Sequence, residues 1–413
     1  METRSPQRGF LRPGALLRAP RAGAPAAMRV LQALLERLSV GKVALTTPDG
    51  ATRIYGSDAA GPLVQLTLHD WKVAADALRG GDVGFAQAYI DGRWDTPDLT
   101  RLLTVLAANQ SALERAFYGG AVLRTILRLR HLLRANTRRR AKANIVAHYD
   151  LGNAFYALWL DPTMTYSAAW FGGDRAQSLA SAQRAKYARV LAEIRGGAGT
   201  RVLEIGCGWG GFAEHAARAG AHVTGISLSD AQTAYARARL AAAGFRDRAD
   251  LHLRDYRDER GRYDAVASIE MIEAVGERWW PAYFRAVRDA LVPGGRACIQ
   301  AITIAEARFE RYRTQSDFIQ QYIFPGGMLA TPSRLVAAAA AAGLEHAGTA
   351  TFGADYAETL KRWLDAFDGQ ADAVRALGFD ERFLRCWRFY LAYCAAGFDT
   401  CTTDVGHYTF VRR

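Results

Sequence analysis

The second half of the sequence alternates between short apolar runs and longer segments with helical spacing. From Thr200 onward, the runs have the length of β-strands: "RVLEI", "AHVTGIS", "DLHLRD", "YDAVASIE" and "RACIQAIT". Amphipathic stretches such as "DAQTAYARARLAAAG" separate them, which predicts alternating strands and helices. Because the runs are so apolar, they predict an α/β fold whose parallel sheet is covered on both faces and binds its ligand at the carboxyl ends of the strands.

The first part of the chain predicts a smaller α+β domain that begins at Met28. "MRVLQALLERL" has helical spacing, and "KVALTTPDGATRIYG" predicts a hairpin that turns at Pro48, Asp49 and Gly50. "PLVQLTLHD" alternates as a strand does. Residues 1–27 are rich in Arg, Pro, Gly and Ala and lack the apolar core of a secretory signal, so we expect a disordered leader.

A basic amphipathic helix is predicted from Leu123 to Lys142. The leucines and Ile126 fall mostly on one helical face, arginines occupy the rest, and no acid appears between Arg115 and Tyr149. Two interpretations stay open. The helix either covers an ordinary core with a solvated face, or it binds phosphate at a membrane surface.

Composition narrows the class of protein. The chain has 413 residues, enough for two domains, and its 50% apolar and 23% charged residues are typical of a globular protein. No stretch reaches the roughly 18 uninterrupted apolar residues of a spanning helix. The net charge of +12 predicts attraction to phosphate, on nucleic acid or on anionic lipid. Five cysteines without a CxxC pair favour a reducing compartment, by default the cytoplasm.

A glycine-rich turn follows the first strand, in "RVLEIGCGWGGF". A dinucleotide fingerprint has the spacing GxGxxG, whereas here Gly206, Gly208 and Gly210 alternate after Glu204. With no pyrophosphate to surround, the turn need only let an amino-acid and ribose moiety approach the backbone. We therefore predict a site for S-adenosylmethionine, against the alternative that the glycines only shape a tight connection.

Two other strand ends support the same ligand. Asp255 and Tyr256 close the third run, where an acid that contacts the adenine would lie. The second run closes with "GISLSDAQ", in which Ser227 stands where many nucleotide-binding sheets have a carboxylate for the ribose hydroxyls. Gln232 is a candidate to supply that hydrogen bond instead.

The sequence resembles the cyclopropane-fatty-acyl-phospholipid synthases and the related mycolic acid methyltransferases. The resemblance rests on seven motifs in order: "HYDLGNAFYALWLDPTMTYSAAW", "VLEIGCGWGG", "GISLSDAQ", "RDYRD", "EMIEAVG", "YIFPGGMLAT" and "FGADYAETLKRW". It covers Ile145 to the C-terminus firmly and the leading domain more loosely. It implies a Rossmann-like class I methyltransferase fold with a mainly parallel seven-stranded sheet over residues 143–413, and a lipid- or membrane-associating domain over residues 28–142.

The resemblance also implies a reaction. Family members transfer the methyl group of S-adenosylmethionine to a cis double bond of an acyl chain, usually within a membrane phospholipid, and the resulting carbocation loses a proton. Because an alkene is a poor nucleophile, the site must align it with the methyl group and exclude water. The implied cofactor-binding residues are Tyr166, Ser167, Glu204, Gly206, Cys207, Gly208, Gly210, Ser227, Leu228, Gln232, Asp255 and Tyr256.

How the cation loses its proton is left open by the sequence. In many family members the base is a bicarbonate ion, held by a cysteine, a glutamate, a histidine and a tyrosine. The glutamate matches Glu273 and the tyrosine Tyr356, but the cysteine falls on Ala168 and the histidine on Gln300. Either bicarbonate is still held through backbone amides and the Gln300 carboxamide, or Glu273 is itself the base. Cyclopropane formation is the main expectation, with a methyl- or methylene-branched chain as the alternative.

Other motif residues have candidate roles. Cys394 matches a cysteine of the family, although its apolar helical setting favours packing. Tyr166, Tyr322 and Tyr356 are candidates to stabilise the cation, since cation–π attraction is worth about 2 kcal/mol when desolvated. The histidines show no metal-ligand spacing, so no metal is predicted.

Two other classes of function compete with a lipid methyltransferase. Enzymes that methylate base amino groups usually carry Asn or Asp, then Pro-Pro and an aromatic residue, at the fourth strand, which here ends "SIEMIEAVG". A non-catalytic binding protein would have a degraded cofactor turn, and this one is intact. We therefore expect a cytoplasmic enzyme, peripheral at the inner membrane surface, that acts on a phospholipid with an unsaturated acyl chain and binds no nucleic acid. A homodimer is left open.

Overall fold

The structure is a computed structural model that describes residues 25–57, 61–110 and 151–413. Most of the predicted leader and the whole predicted basic helix at 123–142 lie outside the described residues. Two compact units can be distinguished. The first unit contains the described residues up to Asp98 and those from Ala108 to 110. The second unit contains Leu99–Ala107 and the described residues from 151 onward.

The first unit is built around a small four-stranded sheet with the order β2-β1-β3-β4. Strands β1 and β2 form the predicted antiparallel hairpin, and Gly50 in its turn has a φ of 81°. Strand β3 pairs with β1 in parallel. The helix predicted from "MRVLQALLERL" is confirmed as α1. The elements are α1 (Ala26–Leu35), β1 (Lys42–Thr46), β2 (Thr52–Tyr55), β3 (Leu63–Leu68), α2 (Lys72–Ile90) and β4 (Trp94–Asp95).

The second unit alternates strands and helices, as the apolar runs predict. Its elements are α3 (Leu99–Ala108), α4 (Asn153–Ala157), α5 (Leu179–Glu193), β5 (Arg201–Ile205), α6 (Gly211–Arg218), β6 (His222–Ser227), α7 (Asp230–Ala242), β7 (Ala249–Leu253), β8 (Tyr263–Ile269), α8 (Trp280–Ala290), β9 (Leu291–Ile304), α9 (Glu306–Tyr312), α10 (Pro332–Ala341), β10 (Leu344–Thr351), α11 (Gly353–Gly369), α12 (Ala371–Ala376), α13 (Glu381–Asp399) and β11 (Thr403–Arg412). Short 3₁₀ turns and one π-helical turn, Ile319–Ile323, connect some of them.

The seven strands of this unit form one sheet in the order β10-β11-β9-β8-β5-β6-β7. Strands β7, β6, β5, β8 and β9 run parallel, and β11 runs antiparallel to both β9 and β10. This confirms the Rossmann-like class I methyltransferase fold with its mainly parallel sheet. The carboxyl ends of β5 and β8 are neighbours, so the loops that follow them meet at one edge of the sheet.

Helices cover both faces of the sheet, because the strand residues are apolar on both sides. On β5, Val202 packs in a cluster with Phe212 of α6, while Leu203 packs in the opposite cluster with Phe284 of α8. Val202 and Leu203 are 0% and 1% exposed, which fits a central strand of a parallel sheet. None of the helices in the described part of the chain is long and apolar enough to cross a membrane.

Candidate active site

The glycine-rich turn after β5 has a backbone that only glycine adopts readily. Gly206, Gly208 and Gly210 have φ angles of 85°, 50° and 80°. The N–H groups of Gly206 and Cys207 both donate to the carbonyl of Ile226, at 2.9 and 3.1 Å, which ties the turn to the end of β6. The turn thus holds its backbone beside the ends of the strands, and its glycines add no side chain there.

A cavity opens at this edge of the sheet, and nearly all the expected cofactor residues line it. Those residues are Tyr166, Ser167, Glu204, Gly206, Cys207, Gly208, Ser227, Leu228, Gln232, Asp255 and Tyr256. Gly210 lies outside the lining. A Cβ there would come within 2.9 Å of the Cβ of Ala236, so Gly210 lets α6 approach α7 instead.

The polar groups of the cavity fit S-adenosylmethionine. Glu204 is buried, and its Oε2 has no hydrogen-bond partner in the described structure. Burial raises the pKa of Glu204 well above its ordinary value. A cation placed beside it favours the charged form, so this acceptor suits a positively charged ligand. Asp255 is held by Arg257, whose Nε donates to Oδ1 at 2.8 Å.

Helix α5 supports the loop that carries Tyr166 and Ser167. Lys186, which is fully buried, donates from Nζ to Ser167 Oγ at 2.6 Å, and Gln183 donates to the Ser167 carbonyl at 2.9 Å. Burial lowers the pKa of Lys186 to about 7, against the opposing pull of Glu270 and other carboxylates. Helix α5 therefore holds this loop in place. The residue after Ser167 is Ala168, whose N–H donates to Glu270.

Glu270 is the functional candidate that the sequence interpretation missed. It follows the last residue of β8 and has a φ of 50°, a conformation uncommon for residues other than glycine. Its Oε1 accepts hydrogen bonds from the Ala168 N–H at 2.8 Å and from Gln300 Nε2 at 2.7 Å. Its Oε2 accepts from the Tyr356 hydroxyl at 2.7 Å. The carboxylate thus faces three donors and also lines the cavity.

The electrostatics of this carboxylate suit a proton acceptor. Burial raises the pKa of Glu270 above its ordinary value, while its three donors and the Lys186 ammonium oppose that rise. Burial, and then the Glu270 charge, raise the pKa of Tyr356 well above its ordinary value, so Tyr356 stays a donor. A carboxylate has about four acceptor sites, and three are taken here. One acceptor site of the Glu270 carboxylate therefore remains to receive a proton.

Glu273, which matches the bicarbonate-binding glutamate of the family and is the alternative candidate for the base, lies elsewhere. Its Oε1 accepts from the Ile302 N–H at 2.6 Å, and it is not among the residues that line the cavity. Burial and the nearby Glu270 charge raise its pKa to about 8, so it is mostly protonated at neutral pH. The structure therefore brings Gln300 and Tyr356 to Glu270, and not to Glu273.

Of the other candidate residues, Tyr166 lies at the cavity, whereas Cys394 and Tyr322 are not among the residues that line it. Tyr166 lines the cavity, and its hydroxyl is 2.6 Å from that of Tyr390. Cys394 lies on α13, and burial raises the pKa of its thiol, which therefore stays protonated. Tyr322 is exposed and stacks on Phe318, with 5.1 Å between ring centroids.

Aromatic side chains surround Tyr166, and one of them, Tyr156, also packs against Trp209 of the glycine turn at 5.0 Å between ring centroids. The ring centroids of Tyr156, Trp159 and Trp363 lie 5.4, 5.6 and 5.3 Å from that of Tyr166. Tyr356 packs at 6.1 Å from Trp363, so the same cluster reaches the Glu270 site. These ring faces exclude water and can stabilise a cation. Among the described residues, no group of three or more His, Cys, Asp or Glu side chains could hold a metal ion.

Comparison with known proteins shows the family to which the chain belongs. A family model for mycolic acid cyclopropane synthetase matches residues 136–408. The chain is 42% identical over 352 residues to a tuberculostearic acid methyltransferase of Mycobacterium tuberculosis, covering 81% of this chain and 80% of that protein. It is 32% identical over 327 residues to the cyclopropane-fatty-acyl-phospholipid synthase of Escherichia coli, covering 78% and 81%.

A solved structure supports the same assignment. A mycolic acid cyclopropane synthase in complex with S-adenosylhomocysteine (SAH) and CTAB matches with a TM-score of 0.61 and 28% identity, over 66% of this chain and 98% of that one. The protein is thus an S-adenosylmethionine-dependent methyltransferase, and the chain belongs to the mycolic acid cyclopropane synthetase family.

Proposed function

We propose that this enzyme methylates the double bond of an unsaturated fatty acyl chain in a membrane phospholipid, and that Glu270 removes the proton that ends the reaction. The observation that carries the proposal is the Glu270 carboxylate, held by Ala168, Gln300 and Tyr356 at the edge of the cofactor cavity. A positioned carboxylate whose pKa burial raises above its ordinary value is a stronger proton acceptor than an exposed one, which suits a general base.

The proposed steps conserve atoms and electrons. The π electrons of the alkene form a bond to the methyl carbon while the bond between sulfur and that carbon breaks, leaving S-adenosylhomocysteine and a carbocation. Glu270 then accepts one proton from the cation. If the proton leaves the new methyl group as a ring closes, the product is a cyclopropane. If a hydride first shifts from the methylated carbon to the neighbouring cationic carbon, loss of a methyl proton leaves a methylene branch on the open chain.

Glu270 takes the place that the family resemblance assigns to bicarbonate. The backbone at Ala168, the side chain at Gln300 and the hydroxyl of Tyr356 are the groups expected to hold that ion, and each donates to the Glu270 carboxylate instead. An anion built into the chain and already hydrogen-bonded leaves those donors no need for a second anion. We therefore infer that the enzyme works without bicarbonate.

The product we propose is a methylene-branched chain in place of a cyclopropane, which a separate enzyme with a hydride donor would have to reduce to give a methyl branch. Support comes from the tuberculostearic acid methyltransferase, which shares 42% identity with this chain, against 32% for the cyclopropane synthase of E. coli. Tuberculostearic acid is a methyl-branched fatty acid. The high similarity to an enzyme named for such an acid favours the branched outcome that the replaced residues Ala168 and Gln300 leave open.

Product analysis tests this function directly. The purified enzyme is incubated with S-adenosylmethionine and vesicles of dioleoyl phosphatidylglycerol and dioleoyl phosphatidylcholine, and the lipids are then examined by mass spectrometry and proton NMR. We expect a mass gain of one methylene unit and olefinic methylene signals. Upfield ring signals without olefinic methylene signals would overturn the branched product and leave methyl transfer intact.

We also propose that the enzyme works in the cytoplasm, bound peripherally to the inner membrane surface. Its substrate chain lies within a bilayer, and the net charge of +12 favours anionic headgroups. The predicted basic helix at 123–142, outside the described residues, is the candidate contact. Flotation with anionic and with neutral vesicles tests this, and equal recovery with both would contradict it.

A further inference from the structure

The hydrogen bonds of the Glu270 site continue one residue further into the sheet. Gln300 on β9 and His407 on β11 are direct cross-strand partners, so their side chains lie on the same face. Gln300 Nε2 donates to Glu270, and Gln300 Oε1 lies 2.9 Å from Nε2 of His407. Gln300 and His407 are 0% and 1% exposed, so water does not compete for these contacts.

This chain of contacts allows only one arrangement of hydrogens. The Glu270 carboxylate only accepts hydrogen bonds, so the amide nitrogen of Gln300 must face it. The amide oxygen then faces His407, which must donate from Nε2. If the Gln300 amide rotated by half a turn, its oxygen would face the carboxylate and one of the three donors of Glu270 would be lost.

The surroundings of His407 favour the tautomer that this arrangement requires. Burial, reinforced by the cationic Arg189 and Lys186 on α5, lowers the pKa of His407 to about 3, so the ring is neutral and carries one proton. Its Nδ1 has no hydrogen-bond partner in the described structure. A proton on Nδ1 would leave a buried donor unpaired, whereas a proton on Nε2 is bonded to Gln300.

We propose that His407 is a positioning residue for catalysis, whose Nε2–H fixes the amide of Gln300 so that Gln300 donates to the Glu270 carboxylate. This inference rests on the proposed role of Glu270 as the base. His407 touches neither the cofactor cavity nor the carboxylate, so it acts only through Gln300. The other ionisable groups that influence Glu270 are Lys186 on α5, Tyr356 on α11 and Glu273, and the test leaves all three in place.

The test compares the pH profiles of kcat/KM for three variants of the full-length enzyme. His407→Leu removes the donor, and His407→Gln keeps a donor at the same distance along the side chain. Phe352→Leu is the matched control, because the Phe352 ring packs 4.9 Å from the His407 ring and makes no contact with Gln300 in the described hydrogen-bond network. All three disturb the packing there, but only His407→Leu removes the hydrogen bond.

We expect the acidic limb of the His407→Leu profile to move to higher pH, because a carboxylate that loses a donor binds its proton more tightly. Activity at pH 7 should fall about tenfold, because the general base keeps only part of its rate contribution of about 10²- to 10⁴-fold. His407→Gln and Phe352→Leu should keep the limb of the unmodified enzyme. An unmoved limb in His407→Leu, or equal movement in all three variants, would reduce His407 to a packing residue.

A second measurement uses the unmodified enzyme, so it does not depend on whether a variant folds. Nitrogen-15 NMR of histidine-labelled enzyme should show one ring that stays neutral and protonated on Nε2 from pH 5 to 9. A ring assigned to His407 that is protonated on Nδ1, or that titrates in this range, would overturn the inference. If Glu270→Gln is inactive while the His407→Leu limb does not move, the inference fails and the proposed base stands. If Glu270→Gln keeps its activity, the proposed base itself fails.

Discussion

Replacing Glu270 should abolish methylation while leaving cofactor binding intact. Glu270→Gln preserves the size of the side chain, but a carboxamide cannot accept the proton of the cation. Its NH₂ group would also face either the Tyr356 hydroxyl or the Ala168 and Gln300 donors, which now meet at 2.7 to 2.8 Å on the carboxylate. A general base contributes about 10²- to 10⁴-fold, so we expect kcat to fall by at least about 100-fold.

Glu270→Gly gives a sharper version of the same experiment. A φ of 50° is a conformation that glycine adopts freely, so this variant relieves the backbone and is expected to fold. It leaves three donors around an empty space large enough for a small anion. Added bicarbonate should therefore restore part of the activity of Glu270→Gly, while it leaves the unmodified enzyme unchanged.

Glu273→Gln is the matched control, since Glu273 is also a buried carboxyl three residues away. With a pKa of about 8, Glu273 is about 90% protonated at pH 7, and a carboxamide resembles that neutral form closely. We expect less than about a twofold change in kcat. The assay is the transfer of a labelled methyl group from S-adenosylmethionine to dioleoyl vesicles, with calorimetry to confirm cofactor binding. A Glu273→Gln enzyme as inactive as Glu270→Gln, or an unmodified enzyme stimulated by bicarbonate, would refute the reasoning.

Three further predictions follow from the same cavity and charge. Gly206→Val should abolish S-adenosylmethionine binding by calorimetry, because φ is 85° and a Cβ would come within 3.0 Å of Met271 Cγ; unchanged affinity would contradict the cofactor assignment. Tyr356→Phe removes a donor to the charged form of Glu270, so the acidic limb of kcat/KM should move to higher pH and activity below that limb should fall about tenfold; an unmoved limb would contradict it. Replacing the arginines at 138–140 with Ala should weaken binding to anionic vesicles by about 1 kcal/mol per residue, an effect that fades in high salt. Vesicle binding that changes with neither the mutation nor the salt would contradict a role of this segment at the membrane.

The fold could be predicted from the sequence because its determinants are local. Apolar runs of strand length separated by amphipathic stretches specify a parallel sheet, and the turn at Gly50 specifies a hairpin. The glycine turn at Gly206 and Gly208 predicted S-adenosylmethionine as the cofactor for the same reason. Each of these features is contained within a few consecutive residues.

The proposed base, Glu270, could not be identified in this way, because its surroundings are assembled from distant segments. Ala168, Glu270, Gln300 and Tyr356 lie on four separate segments of the chain, and only the folded structure brings them together. The sequence did contain one indication. Glu270 directly follows the apolar strand β8, and an acid at the carboxyl end of a parallel strand stands where such sheets bind ligands. The family motif instead contains Glu273, whose carboxylate accepts a hydrogen bond from the Ile302 N–H.

The position of β11 has a consequence for how the enzyme is made. This strand lies between β9 and β10, so β10 has no neighbour in the sheet until β11 is in place. During synthesis β10 leaves the ribosome first and stays unpaired until β11, about 50 residues later, has been made. Such non-local strand pairing is slow to form. Because β11 also carries His407, nascent chains that stop short of it would expose a sheet edge and lack a settled Gln300. With His407 in its proposed role, the strand that completes the sheet therefore also completes the hydrogen bonds of the Glu270 site.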